Sequence, residues 1–174
     1  KNMPGIPFHN VVKKRRSVRS FITKKVPISK TNKILKSAMM APSAMGLQAY
    51  KIFVVKNNSI KQKLVKATHD QPYVNSDTVL VFCTDPKKTR AVMGPKGEYF
   101  FALQDATIAA TYAQLAATAE GLHSIWIGHF NEKKVKEIVK TKFKPVCILA
   151  IGYSTEKPEP KDVKKFSSIV SVRR

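Results

Sequence analysis

A chain of 174 residues with 43% hydrophobic and 25% charged side chains has the size and balance of one globular domain. That composition excludes a disordered chain, and no run of about 18 apolar residues is present to cross a bilayer as a helix. The 32 Lys and Arg against 11 Asp and Glu give a formal net charge of +21, which suits nucleic acid, an anionic membrane or phosphorylated ligands without choosing among them.

In chain order, residues 1–7 hold Pro4, Gly5 and Pro7 and read as an irregular lead-in. A short helix is predicted from Phe8 to about Lys14, with Phe8, Val11 and Val12 on one face. The next spans Ser29 to Met40, with Ser29 as N-cap, Ile34, Leu35 and Ala38 at helical spacing and Pro42 ending it. Tyr50–Val55 (YKIFVV) reads as a strand, Ile60–Ala67 as an amphipathic helix and Thr78–Cys83 as a buried strand stopped by Asp85-Pro86. Residues 86–97, polar and carrying Gly94-Pro95 and Gly97, read as a surface loop.

The longest predicted helix runs from about Glu98 to Glu120. Its middle, ATIAATYAQLAATA, is apolar nearly all round, so more than one side must be covered. It is either a central helix or one shared with a second subunit. Gly121 fits its stop. A short apolar segment, Ser124–Ile127, precedes a helix from Asn131, its N-cap, to about Lys140, and Val146–Gly152 is a third buried strand. The tail, with Pro158 and Pro160, reads as an extended arm. Helices and strands mix without regular βαβ alternation, which predicts an α+β fold: a central mixed or antiparallel sheet flanked by helices.

Cys83 and Cys147 lie in apolar runs, without C-x-x-C spacing or a nearby His at metal-ligand spacing. They read as reduced core thiols, consistent with a cytoplasmic protein, and the N-terminal residues lack the apolar run of a secretory signal.

Three segments carry candidate chemistry. Lys14-Arg15-Arg16-Ser17-Val18-Arg19 concentrates guanidinium forks and a hydroxyl, groups that suit a phosphate; a solvated basic turn or a nucleic-acid contact fits the same residues. Ala41-Pro42-Ser43-Ala44-Met45-Gly46-Leu47-Gln48-Ala49-Tyr50 is a helix stop and turn that can also offer Ser43 and Gln48 to a ligand, with Gly46 free to bend. In Gly121-Leu122-His123-Ser124-Ile125-Trp126-Ile127-Gly128-His129-Phe130, Gly128 exposes backbone before the next helix. His129 is a candidate acid or base, or a surface residue.

Taken together, in this order and at these separations, the segments resemble the nitroreductase family from about Phe8 to Val172. Arg15, Ser17 and Arg19 match its R-x-S-x-[RK] phosphate signature. Ala41, Pro42, Ser43 and Gln48 match A-P-S-x-x-x-x-Q. G-L-x-x-x-W-I-G-x-F is similar to its flavin-edge stretch, and VCILAIGY to its last core strand. Lys164-Lys165 fall where many members carry a basic pair near the cofactor phosphate. The chain departs from the family at Gly46, where many members have Asn, at Ala49-Tyr50, where many have Pro-Trp, and at His129, where many have a small residue.

The resemblance implies one domain over residues 1–174 with an arm from about 158, and FMN held without covalent attachment at a homodimer interface. Arg15, Arg16, Arg19, Lys164 and Lys165 neutralise the phosphate and Ser17 donates to it. Pro42, Ser43, Met45 and Gln48 border the ribityl chain and ring, some of them on the flavin of the other subunit. Trp126 and Ile127 lie near the ring, and the Gly128 N–H points at flavin N5. No side chain need act as acid or base, because the cofactor carries the redox step. The long helix packs against its symmetry mate and the arm embraces the partner. The implied activity is ping-pong transfer of electrons from NADH or NADPH to a small-molecule acceptor, a nitroaromatic or quinone. Dehalogenation, flavin cleavage or ring oxidation on the same fold, and flavin storage or sensing, are the alternatives. A nucleic-acid-binding protein is the alternative of another class. Aromatic residues, 9% of the chain, lie mostly in apolar runs, and no recognition-helix or metal-finger signature is present, so specific nucleic-acid and membrane binding are not expected.

Overall fold

The computed structural model describes residues 6–173; the lead-in expected at the N-terminus falls largely outside them. Two central strands organise the rest. In β2 (Thr78–Thr84) every residue is buried, and β4 (Lys144–Gly152) is buried over most of its length. Their neighbours are β1 (Tyr50–Val55) and β3 (His123–Ile127), in the order β1-β2-β4-β3, and every pairing is antiparallel. Strands apolar on both faces must be covered on both faces. On one side α2 (Ile28–Met39) and α5 (Ala102–Ala119) bring Ile34, Ala38, Ala109 and Ala113 against Leu80, Phe82, Leu149 and Ile151. On the other, α3 (Asn58–Ala67) and α6 (Glu132–Ile138) set Leu64 and Val135 against Val79, Val81, Ile148 and Ala150. The expected α+β fold is therefore present, with an antiparallel sheet of four strands. The segment after Gly121 supplies the fourth strand.

Local chemistry explains most element ends. The side chains of Asn57 and Asn131 accept from the N–H groups of Ile60 and Lys134, capping α3 and α6. Gly121 sits at φ +72° just past α5, as a left-handed helix stop requires. Helix α1 (Phe8–Lys14) ends as expected.

Three sequence expectations need correction. Ser29 is not the N-cap of α2; Pro27 is, with no side-chain cap, because the fixed proline φ already starts the helix at Ile28. Residues 86–97 are not a loop but contain α4 (Lys87–Lys96). Gly94 breaks this helix at φ 63°, ψ −152°, and Pro95 restarts it, a position that needs no N–H from proline. Lastly, the long helix does not begin at Glu98. Gly97–Phe101 form a π-helical turn and α5 starts at Ala102. A Cβ on Gly97 would lie 2.1 Å from the Thr89 carbonyl oxygen, so this glycine is fixed by the close approach of α4 to the turn.

Lys61 is buried although it sits in a polar-looking helix. Its ammonium donates to the Ser76 carbonyl at 2.8 Å, and burial lowers its pKa. Both cysteines are free and buried as expected. Burial pushes the Cys83 thiol up to about 12 and the Cys147 thiol further. An unfolded thiol ionises near 8.5. Above that pH the unfolded chain binds fewer protons than the folded one, so stability falls as pH rises. The expected slope is up to about 1.4 kcal/mol per pH unit for each thiol, read from urea midpoints between about pH 9 and 10. Neither thiol should react with a disulfide reagent until the protein unfolds; fast reaction of the native protein would contradict the buried placement.

Candidate functional site

Strand β3 is an edge strand, and the site is built along it. After α1 the chain turns so that Ser17 bridges Ser124 and the Val18 N–H donates to the Ser124 carbonyl at 3.1 Å, with the Val18 side chain fully buried. This anchor fixes Arg15, Arg16 and Ser17, all half-buried, and the exposed Arg19 beside the start of β3. Glu156 accepts from the Arg19 and Ser20 N–H groups at 2.8 and 2.7 Å. It thus holds the backbone of the segment and not its cations. Among the described residues, Arg15, Arg16 and Arg19 form no ion pair. A cleft of about 240 Å³ opens there between Lys14, Arg16, Gly121 and His123.

At the other end of β3 stands Gly128, five residues from His123, about 17 Å along the strand. Nothing among the described residues requires glycine at this position. Its φ is not left-handed, and an added Cβ would meet only the Trp126 ring at 3.7 Å, an ordinary contact. Gly128 is exposed, and among the described residues no protein acceptor takes its N–H. A bare, unpaired amide that neither backbone nor packing explains fits the close approach of a ligand. Trp126 packs partly into the α2–α5 core. Ile127 points to the opposite side and is buried in the α3–α6 core, so only its backbone faces the edge.

His129 follows Gly128 and is exposed. Its ring stacks on His69, centroids 4.3 Å apart, and its carbonyl accepts from Gln71. His69 and Asp70 both have positive φ.

The loop from Pro42 to Gln48 lies at the same end of the sheet as Gly128 but on the far edge. The Ala49 carbonyl accepts from the Asp85 N–H beside β2. Met45, Gly46 and Gln48 all have positive φ, and Met45 is 71% exposed. Two side chains that are neither β-branched nor small, held left-handed, need strong restraint. The restraint is Asp105 on α5, a residue that the sequence reading missed. Its buried carboxylate accepts from the Ala44 N–H at 2.8 Å and the Ala49 N–H at 3.1 Å. The missed signal was one acid inside an otherwise apolar helix. Ser43 Oγ accepts from the Gln48 N–H, and the Gln48 amide donates to the Met39 carbonyl. Burial raises the Tyr50 phenol pKa, with its hydroxyl directed at the Ala38 carbonyl.

The chain therefore brings together Arg15, Arg16, Ser17, Arg19, Trp126 and Gly128 along one edge. It keeps Pro42, Ser43, Met45 and Gln48 on the other. Lys164 and Lys165 are exposed in the tail before the short turn at Phe166–Ser168.

The "Nitroreductase family" model matches residues 12–78 and 73–153. The chain belongs to the nitroreductase family. A protein of Archaeoglobus fulgidus provisionally named an NADH dehydrogenase/NAD(P)H nitroreductase is 30% identical over 87% of this chain and 84% of that protein. The FMN reductase (NADPH) of Bacillus subtilis is 30% identical over 79% of this chain and 62% of its own length. A solved Bacillus subtilis nitroreductase superimposes with a TM-score of 0.84 at 26% identity, over 94% of this chain and 73% of that one. Nitroreductase membership thus agrees with the motifs that pointed to it.

Replacing Asp105 by Asn leaves one oxygen for one amide and turns an NH₂ donor toward the other. We expect a loss of about 1–3 kcal/mol, with faster hydrogen exchange at Ala44 and Ala49. Unchanged exchange at both amides would show that the carboxylate does not hold the loop.

Proposed function

We propose that the chain is an FMN-dependent NAD(P)H oxidoreductase, reducing nitroaromatic or quinone-type acceptors by a ping-pong cycle as a homodimer. The observation that carries this reading is the β3 edge. It has unneutralised guanidinium groups at one end and a bare amide at the other, with a strand's length between for a ribityl chain. The names of the Bacillus FMN reductase and of the related nitroreductases support the choice of cofactor and reductant.

In this reading Arg15, Arg16 and Arg19 meet the FMN phosphate, Ser17 donates to it, and Lys164 and Lys165 close over it from the arm at 158–174, the extension of a single FMN-binding domain. The Gly128 N–H donates to the flavin at N5, and Trp126 walls the ring. The bound flavin supplies the redox chemistry, accepting reducing equivalents from NADH or NADPH and yielding them to the acceptor. The chain's own part is to bind, orient and exclude water, and no side chain is asked to move a proton. No helix among the described residues is long and apolar enough to cross a membrane. A cytoplasmic place is the part of the reading that the two free thiols support.

The second subunit is needed because one protomer holds the two halves of the site on opposite edges. Helix α5 supports the same conclusion. It buries Ala106, Ala109, Ala113 and Ala117 inward yet leaves Tyr112 40% exposed. In the tail, Phe166, Ile169 and Val172 are exposed as well. Such a surface suits an interface, and the left-handed loop would then present Pro42, Ser43, Met45 and Gln48 to the flavin bound along the partner's edge.

Purified protein mixed with FMN and freed of excess should keep a flavin absorption spectrum and bleach with NADH or NADPH. Arg15→Ala and Arg19→Ala should each weaken FMN about tenfold or more, as expected for loss of a charged hydrogen bond. A colourless protein would sink the proposal. Sedimentation should give twice 19.5 kDa, and Tyr112→Asp should yield a folded monomer with weakened FMN. A wild-type monomer that retains FMN would refute the shared site.

A further inference from the structure

A second hollow lies away from the Arg15–Arg19 segment, at the end of the sheet where β2 leaves and β4 begins. Its volume is about 840 Å³, within the range of roughly 300–1,000 Å³ usual for small-molecule sites. The cleft beside Arg16 is far smaller.

Four parts of the fold converge on this hollow. Lys87 and Arg90 come from the first turns of α4, and Tyr99 from the π-helical turn. Lys142 and Lys144 flank Phe143 at the entrance to β4. Leu103 at the start of α5 adds an apolar wall. Two carboxylates, Asp85 and Glu98, face these four cations, and Glu98 is engaged by Arg90 at 2.5 Å. Lys144 has only a long contact with Glu132, 3.9 Å, at the protein surface. The Lys142 ammonium, which forms no ion pair among the described residues, stands 5.9 Å from the Phe143 ring centroid, so a cation and an aromatic face are held side by side.

The hollow is shaped by backbone devices that nothing else in the fold explains. The left-handed Gly94 and the restart at Pro95 bend α4 over. Gly97, packed on the Thr89 carbonyl, then allows the chain to fold back and carry Tyr99 to the rim. Tyr99 remains 67% exposed there.

We propose that this hollow is a binding site for a small aromatic anion. The apolar and aromatic walls accept the ring, and Lys87, Lys142 and Lys144 meet the negative group. A nucleotide phosphate and an aromatic carboxylate share this chemistry. The site does not depend on the flavin reading, since none of its residues belongs to the β3 edge. The Asp85 N–H on its rim donates to the Ala49 carbonyl at 2.8 Å, which ties it to the Asp105-held loop.

The test is calorimetric titration of the protein in excess FMN, which keeps the Arg15–Arg19 segment out of the measurement. Salt near about 0.15 M suppresses diffuse charge effects. The probes are 2′,5′-ADP and 4-nitrobenzoate. The expected result is saturable binding of at least one probe at one site per chain, weakened about tenfold by Lys142→Glu and by Tyr99→Ala, as loss of one charged or stacking contact implies. Lys63→Glu, an exposed change on α3 outside the hollow, should leave it unaltered. Whichever probe binds tells a nucleotide from a carboxylate as the source. The proposal is overturned if neither probe binds, or if Lys63→Glu weakens binding as much as Lys142→Glu does.

Discussion

The antiparallel pairing of β2 with β4 is the constraint from which the rest follows. Both strands are apolar on both faces, so each face needs a helical layer, and the chain supplies α2 with α5 and α3 with α6. With the centre of the sheet occupied, only its edges and ends remain for polar work. β1 and β3 are therefore where backbone groups are open to a ligand, and the ends of β2 and β4 are where charged side chains gather. A β-bulge between Phe82 and Cys83 shifts the register just before that end. It adds local twist where the strands leave the core.

Rigidity is then placed where the fold is least regular. Among the described residues, five that are not glycine have positive φ: Met45, Gln48, His69, Asp70 and Lys140. Two of them lie in the loop gripped by Asp105. Two more sit where α3 ends beside His129, in the segment whose Gln71 holds the His129 carbonyl. Strain of this sort costs on the order of 1–3 kcal/mol per residue and persists only where the surroundings overdetermine it. In the first place the restraint is a side chain from a distant helix that satisfies two loop amides; in the second, Gln71 of the segment itself reaches out to the His129 carbonyl. Hydrogen bonds of fixed length thus position both segments, a firmer hold than apolar contact gives.

What the sequence disclosed and what it hid divide along the same physical line. β2 and β4 were legible because burial on both faces forces continuous apolar runs. Asn131 was legible as a cap, because a short acceptor before a helix has few other uses. Arg15, Ser17, Arg19 and Gly128 could be singled out as candidates because they fall in segments that resemble family motifs, and their roles rest on the proposed function. α4 was hidden because Gly94-Pro95 punctuates a helix as readily as it ends one, and only the packing of Gly97 on Thr89 decides between them. Asp105, Glu156 and the His69–His129 stack were hidden for a different reason. Their partners lie 56 to 61, 136 to 137 and 60 positions away in the chain, and no local pattern announces a contact at that range.

The excess of positive charge takes its meaning from where the few carboxylates are placed. Asp105 serves two loop amides. Asp77 accepts from the Val26 N–H and the Thr78 hydroxyl, and Glu156 from the Arg19 and Ser20 amides. Two of the 11 acids, Asp105 and Glu156, are thus bound to backbone donors and pair no cation among the described residues, while Asp77 also makes a long contact with Lys56 at 3.9 Å. A carboxylate in such a place contributes order, since N–H donors hold it in place, while its charge is only weakly available to a guanidinium elsewhere. Among the described residues Arg15, Arg16 and Arg19 are left without an ion pair beside an open strand edge, and so is Lys142 at the end of the sheet, where Lys144 has only a long contact with Glu132. Attraction between unlike charges within roughly a Debye length, about 8 Å at physiological salt, then acts on an approaching anion before any contact is made. The basic surface raises the encounter rate of anions in general. The few positions where cations stand unpaired against shaped, partly apolar walls decide which of those anions stay.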